Sequence, residues 1–221
     1  EPSHVDAAQL IYDTAMRLNG KLRLVTFGPL TNVAEAFYRF PDLPSLIEGV
    51  YIMGGELRLL RREHNFAGDY RAADFVLQKA GKSFLATWSI GRQLMWSADD
   101  VARLAQGATP VAGVLADLYR AWGGETPALY DVVPVLYLEE PTVVDVDAVR
   151  VRVETTGLYT RGVLVSMQKH AHGMELPLCS VPYLDLEGGV ASDVTVRIDV
   201  PKARAMLERV FGMPNVDAVT A

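Results

Sequence analysis

The feature that most constrains this chain is a repeated unit: a short apolar strand that stops at a glycine-containing break and is followed by a helical stretch. Leu22-Arg23-Leu24-Val25-Thr26-Phe27 is rich in strand formers and is cut by Gly28-Pro29. Gly49-Val50-Tyr51-Ile52-Met53 stops at Gly54-Gly55, and a third strand, Ser83–Trp88, runs into Ser89-Ile90-Gly91. Helical spacing separates them: residues 4–18 before the first, 33–40 after caps at Thr31-Asn32, and 69–80 before the third. Strand–helix alternation with continuously apolar strands predicts an α/β fold with an open, mostly parallel sheet flanked by helices on both faces. In such sheets ligands bind beyond the carboxyl ends of the strands, so the residues after each strand come first in a search for chemistry.

The remainder fits one domain over residues 1–221. Ser97-Ala98-Asp99-Asp100 reads as a capping box opening a helix, and further helices are expected over 109–122 and 131–139. Strands are expected at Ala148–Thr155, Gly162–Met167 and Val194–Val200, with a last helix opening at Pro201. A formal charge of −6 argues against a nucleic-acid partner, since phosphate-backbone binding rests on Lys and Arg. The densest basic group, Arg58, Arg61 and Arg62, is expected to be solvated. No apolar run approaches the ~20 residues of a membrane span, so no membrane partner is expected. The single cysteine, Cys179, fits a reducing compartment such as the cytoplasm and reads as a small packed side chain.

Individually the polar residues are ordinary. Glu63 and Asn65, at i and i+2 on a segment read as extended, would point the same way and offer acceptors and a donor suited to a polyol. Asp69 and Asp131 each precede an apolar helical run, where an N-cap is the usual role. Asp99, Asp100, Asp145 and Asp147 read as helix-start or strand-edge residues. His170 and His172 form a two-histidine loop with no third ligand evident.

The order of the motifs is more telling. Gly28-Pro29-Leu30-Thr31-Asn32, Met53-Gly54-Gly55, Glu63-x-Asn65-x-x-x-Asp69-x-x-Ala72-Ala73, Asp131 and Thr160-Arg161-Gly162 together resemble the inosine–uridine-preferring nucleoside hydrolase family. The resemblance covers nearly the whole chain. It implies calcium-assisted hydrolysis of the N-glycosidic bond of ribonucleosides to ribose and free base, a place in nucleotide salvage, and assembly into a homo-oligomer. It places the Phe27 backbone carbonyl and Asp131 on Ca²⁺, Asn65 on the ribose diol, Glu63 on the 5′-hydroxyl and Met53 against the ribose.

The departures shape the expectation further. The family's aspartate-rich opening segment, which carries the catalytic base and two more calcium carboxylates, has no counterpart. The expected fold therefore lacks the first βα units, and the chain, which has no initial Met, is expected to begin inside a longer product. Tyr130 stands where the family has a histidine beside the leaving base; a phenol, with a pKa of about 10, donates a hydrogen bond but is a weak acid. Leu57 stands near the place of an asparagine for the 5′-hydroxyl, and Ser89-Ile90-Gly91 replaces the family's Asp-Val-Thr. Trp122 and Tyr130 are candidates for stacking on a base. The expectation is an enzyme as the intact parent, with little or no turnover by these residues alone. The alternative is a family member that binds ribose or a partner without catalysis.

Overall fold

A computed structural model describes residues 4–123, 127–166 and 189–214. α1 (Ala7–Leu18) leads into β1 (Leu22–Thr26), α2 (Thr31–Arg39), a short α3 (Leu43–Leu46), β2 (Ile47–Met53), α4 (His64–Gly68), α5 (Tyr70–Lys79) and β3 (Ser83–Ala86). Next come α6 (Trp88–Gly91), α7 (Ala98–Leu104), α8 (Pro110–Trp122), α9 (Val132–Glu139), β4 (Val144–Val153), β5 (Leu164–Ser166), β6 (Val190–Ile198) and α10 (Val200–Phe211).

The strands form a single sheet in the order β1-β2-β3-β6-β4-β5. The pairings β1–β2, β2–β3 and β3–β6 are parallel, while β4 runs antiparallel to both β6 and β5. The two halves differ in sequence for a physical reason. β2 and β3 carry helices on both faces, so nearly every residue is buried. In β4, by contrast, Val149, Val151 and Val153 are buried while Arg150 between them is exposed. Successive residues of β2 and β3 feed opposite cores: Val50, Ile52 and Leu85 pack under α1, α2 and α5, whereas Tyr51, Phe84 and Ala86 pack under α7 to α10. β1 ends the sheet and is only half-buried. Among the described residues no helix is long and apolar enough to cross a membrane.

Three local expectations change. The third strand ends at Ala86 instead of Trp88, because the Thr87 N–H leaves the ladder to donate to Thr195 Oγ1 at 3.1 Å. α2 starts at Thr31, with Leu30 in the cap position and no side-chain cap; the Thr31 hydroxyl instead donates to Asp69 at 2.7 Å. Glu63-His64-Asn65 is not extended but is the start of α4.

The capping box is present. Asp100 accepts from the Ser97 N–H at 2.8 Å while the Ser97 hydroxyl accepts from the Asp100 N–H at 3.2 Å. The same carboxylate accepts from Arg204 on α10, so it ties α7 to α10. Burial pushes the Asp100 carboxyl up, but the bonds from Arg204 and Ser97 outweigh it and hold the group below its ordinary value. A depressed folded-state pKa stabilises the fold above the unfolded pKa and loses that contribution as pH falls through the folded one. Asp100→Asn is therefore expected to cost about 2 kcal/mol near neutral pH, because a buried carboxylate loses its charge-assisted bond to the half-buried Arg204. Urea unfolding should show the gap between variant and parent narrowing towards about pH 3. An equal gap at both pH values would remove the ion pair as its cause.

Candidate functional site

The site lies where β1, β2 and β3 end. Backbone pairing continues past β2 and β3, with the Gly54 N–H donating to the Ala86 carbonyl at 3.1 Å and the Trp88 N–H to the Gly55 carbonyl at 3.0 Å. Gly54 is required by α4, since a Cβ there would stand 2.5 Å from Cε1 of the buried Phe66.

Asn65 is the joint. Its buried side-chain amide donates to the Met53 carbonyl at 3.0 Å and the Phe27 carbonyl at 3.3 Å, with Met53 Sδ at 3.2 Å. One side chain on α4 thus fixes the ends of β1 and β2 together. Glu63 sets Asn65. Its carboxylate, 1% exposed, accepts from the N–H groups of Asn65 at 2.9 Å, Phe66 at 3.0 Å and Gly55 at 3.1 Å. It therefore caps α4 and clamps it to the loop after β2. A carboxylate has about four acceptor sites, so one direction stays open beside the three backbone bonds.

Asp131 sits at the cap position of α9 with no side-chain cap bond. The preceding segment is pinned by Leu129 N–H to the Leu94 carbonyl at 2.8 Å and by bridge pairing of Ala128 with Met95. Asp131 is open to solvent, yet neighbouring protein atoms desolvate its carboxyl enough to push it up, and the negative charge of Glu63 adds to this. The Asp131 carboxyl therefore sits in a negative field to which Glu63 contributes. Tyr130 stacks near Trp88, with centroids 6.4 Å apart and planes at 17°.

Phe27, Met53, Glu63 and Asn65 are thus connected by hydrogen bonds, Asp131 is electrostatically coupled to Glu63, and Tyr130 flanks Asp131. Trp122 stands apart at the exposed end of α8, in no ring contact among the described residues. Leu57 packs against the core under α1, α2 and α5. His170, His172 and Cys179 lie outside the described residues.

Sequence reasoning missed Glu56. It is 1% exposed and accepts from the Ser89 N–H at 2.7 Å and hydroxyl at 2.5 Å, and from the Arg58 N–H at 2.6 Å. It joins the loops after β2 and β3. A carboxylate placed directly after Gly54-Gly55 was the available signal. The basic group is also not merely solvated: Arg58 donates to the Val196 carbonyl, Arg62 to the Arg161 carbonyl at 2.8 Å, and Arg61 lies over Trp88. Chain carbonyls and an aromatic face hold these guanidiniums in place.

The donor chemistry suits calcium, but the donor number does not. Asp131 and the Phe27 carbonyl are hard oxygen ligands, whereas Ca²⁺ takes about six to eight. Among the described residues no group of three or more His, Cys, Asp or Glu could hold a metal.

A family model described as inosine-uridine preferring nucleoside hydrolase matches residues 1–204. The pyrimidine-specific ribonucleoside hydrolase RihA of Klebsiella pneumoniae subsp. pneumoniae is 28% identical over 185 residues, 78% of this chain and 60% of that protein. A probable uridine nucleosidase 1 of Oryza sativa subsp. japonica is 26% identical over 95% of this chain and 66% of its own length. The chain thus spans about two thirds or less of these curated relatives. In fold it is similar to the plant nucleoside hydrolase PpNRh1, with a TM-score of 0.81, 19% identity and coverage of 97% of this chain and 69% of that one. It is also similar to a purine-preferring ribonucleoside hydrolase from Gardnerella vaginalis, with a TM-score of 0.77, 21% identity and coverage of 96% and 67%.

Proposed function

Because the chain belongs to the inosine–uridine preferring nucleoside hydrolase family, we propose that it is the ribose-gripping part of an enzyme that hydrolyses the N-glycosidic bond of ribonucleosides. One α/β domain carries this part. The observation that carries the reading is the Asn65 amide, which joins the Phe27 and Met53 carbonyls beside the coupled pair Glu63 and Asp131. Ribose presents vicinal hydroxyls that both donate and accept, and a wall of carbonyls, carboxylates and one amide matches them. Asn65 and Asp131 face the diol, Met53 supplies the apolar contact, and Glu63 keeps its free acceptor direction for a hydroxyl. Tyr130 stands by the leaving base.

Water must also be activated, and none of the residues placed above is assigned as the base for that step. These residues alone are accordingly expected to bind better than they turn over. Calcium, if bound here, supplies positive charge to the hydroxyls, and too few donors make its hold weak. A homo-oligomer in a reducing, cytoplasmic setting, serving nucleotide salvage, completes the reading. A second reading, a ribose- or partner-binding member without catalysis, is favoured by Tyr130, a weak acid beside the leaving base.

Calorimetry with ribose and with calcium, alongside hydrolysis of inosine and uridine, tests both. Ribose is expected to bind in the millimolar range, and Asp131→Asn is expected to weaken calcium binding about tenfold or more, the loss of one charged ligand. Absence of any heat with ribose and nucleosides would sink the first reading. Measurable turnover would sink the second.

A further inference from the structure

Trp88 carries an arrangement that the ribose grip does not use. The Arg61 guanidinium lies 3.9 Å from the centroid of its ring, and that of Arg92 lies 5.3 Å away. Tyr130, next to Asp131, stacks on it at 6.4 Å. Trp88 itself is fixed by its N–H on the Gly55 carbonyl at 3.0 Å, and the following residue by the buried Glu56. Among the described residues neither Arg61 nor Arg92 has a carboxylate within salt-bridge distance. In a chain of net charge −6, two cations held over an aromatic platform with no acidic partner form an unneutralised positive spot.

We propose that Trp88, Arg61 and Arg92 form the base subsite, and that the two arginines determine which base is accepted by donating to its ring carbonyl oxygens. The proposal rests on the ribonucleoside reading above and names the residues that would choose the base. Guanidinium groups offer hydrogen-bond donors and no acceptor. They therefore favour a base with a carbonyl where its competitor carries an amino group, as uracil does over cytosine. They also suit the chemistry of departure. The C1′–N bond breaks with both electrons going to the ring nitrogen, and the negative charge spreads to the carbonyl oxygens. Hydroxide from water adds to C1′, the water's other proton is released, and the departing base takes a proton from solvent. The arginines keep their protons throughout and stabilise the anion by charge alone. This complements Tyr130, which offers a hydrogen bond without being a strong acid.

The test is calorimetry of uridine, cytidine, ribose and uridine 5′-monophosphate with the parent chain and with the Arg61→Ala/Arg92→Ala double variant. Both arginines are exposed, so the variant is expected to fold, as circular dichroism can verify. Uridine binding should fall about tenfold and the preference over cytidine should collapse, while ribose binding stays unchanged. Equal uridine binding and preference in parent and variant overturns the base subsite and leaves the ribose reading standing. A loss confined to the monophosphate also overturns it, because the arginines would then serve a phosphate. If the parent binds neither ribose nor uridine, the functional reading fails and the inference falls with it.

Discussion

Replacement of Glu63 by alanine is expected to destabilise the chain by about 4 kcal/mol, since three hydrogen bonds to a charged, buried acceptor vanish together. Each donor is a backbone N–H with nowhere else to turn. Two of them, Asn65 and Phe66, open α4, and the third belongs to Gly55 on the neighbouring loop. Glutamine is the informative comparison. Its amide oxygen can still accept, but its NH₂ would face a donor, so Glu63→Gln should cost about 2 kcal/mol. Urea unfolding of both variants measures these values. The second consequence is geometric: without its clamp, α4 loses its fixed distance from β2, and the Asn65 amide should drift from the Met53 and Phe27 carbonyls. Ribose binding by Glu63→Gln is therefore expected to weaken more than its loss of stability alone explains. A cost below about 1 kcal/mol for alanine would falsify the clamp.

The parts of the fold legible in sequence were those specified by neighbours along the chain. The three strands with their glycine breaks, the Ser97–Asp100 box and the Asp69 cap, whose carboxylate accepts from the Ala72 N–H at 3.0 Å, all rest on contacts within a few residues. The alternation Val149-Arg150-Val151-Arg152-Val153 is an equally local signal of a sheet half with one open face, but the expectation of helices on both faces passed over it. What the sequence hid were devices whose partners lie far away. The end of β3 is decided by Thr195, 108 residues on. The burial of Glu56 depends on Ser89, 33 residues on. Glu63 was misread for a different reason: helix caps are sought among Ser, Thr, Asp and Asn, and a glutamate in that role gives little signal.

The candidate site follows the same division. The resemblance identified Phe27, Met53, Glu63, Asn65 and Asp131, and hydrogen bonds or shared charge link them. Yet several matched residues work first as joints. Thr31 and Asp69 fasten α2 to α5, and Glu63 fastens α4 to β2. A motif can mark a family because the site needs its scaffold as much as its reacting groups. The Arg61–Trp88 contact belongs to no motif, and only three-dimensional proximity reveals it.

Thr160-Arg161-Gly162 gives the sharpest test of that idea, and Gly162→Ala is expected to cost about 3 kcal/mol. Two effects combine. Gly162 has φ of 89°, where an L side chain costs about 1–2 kcal/mol. Its Cβ would also stand 2.8 Å from Ala67 Cα, 3.0 Å from Ala67 N and 3.1 Å from the Phe66 carbonyl oxygen. All three are backbone atoms of α4, which cannot swing aside as a flexible side chain could. The helix that carries Asn65 must shift, or the loop must lift and break the Gly162 N–H bond to the Glu154 carbonyl at 2.8 Å. Gly113→Ala is the control. It lies within α8 with nothing within 4 Å of the added carbon, so alanine there should be neutral or stabilise by about 0.5–1 kcal/mol. The prediction is thus an opposite sign for two glycine-to-alanine changes, read by thermal or urea unfolding, and a loss of ribose binding for Gly162 alone. If Gly162→Ala unfolds like the parent, the loop does not press on α4, and this motif carries some other duty than holding Asn65 in place.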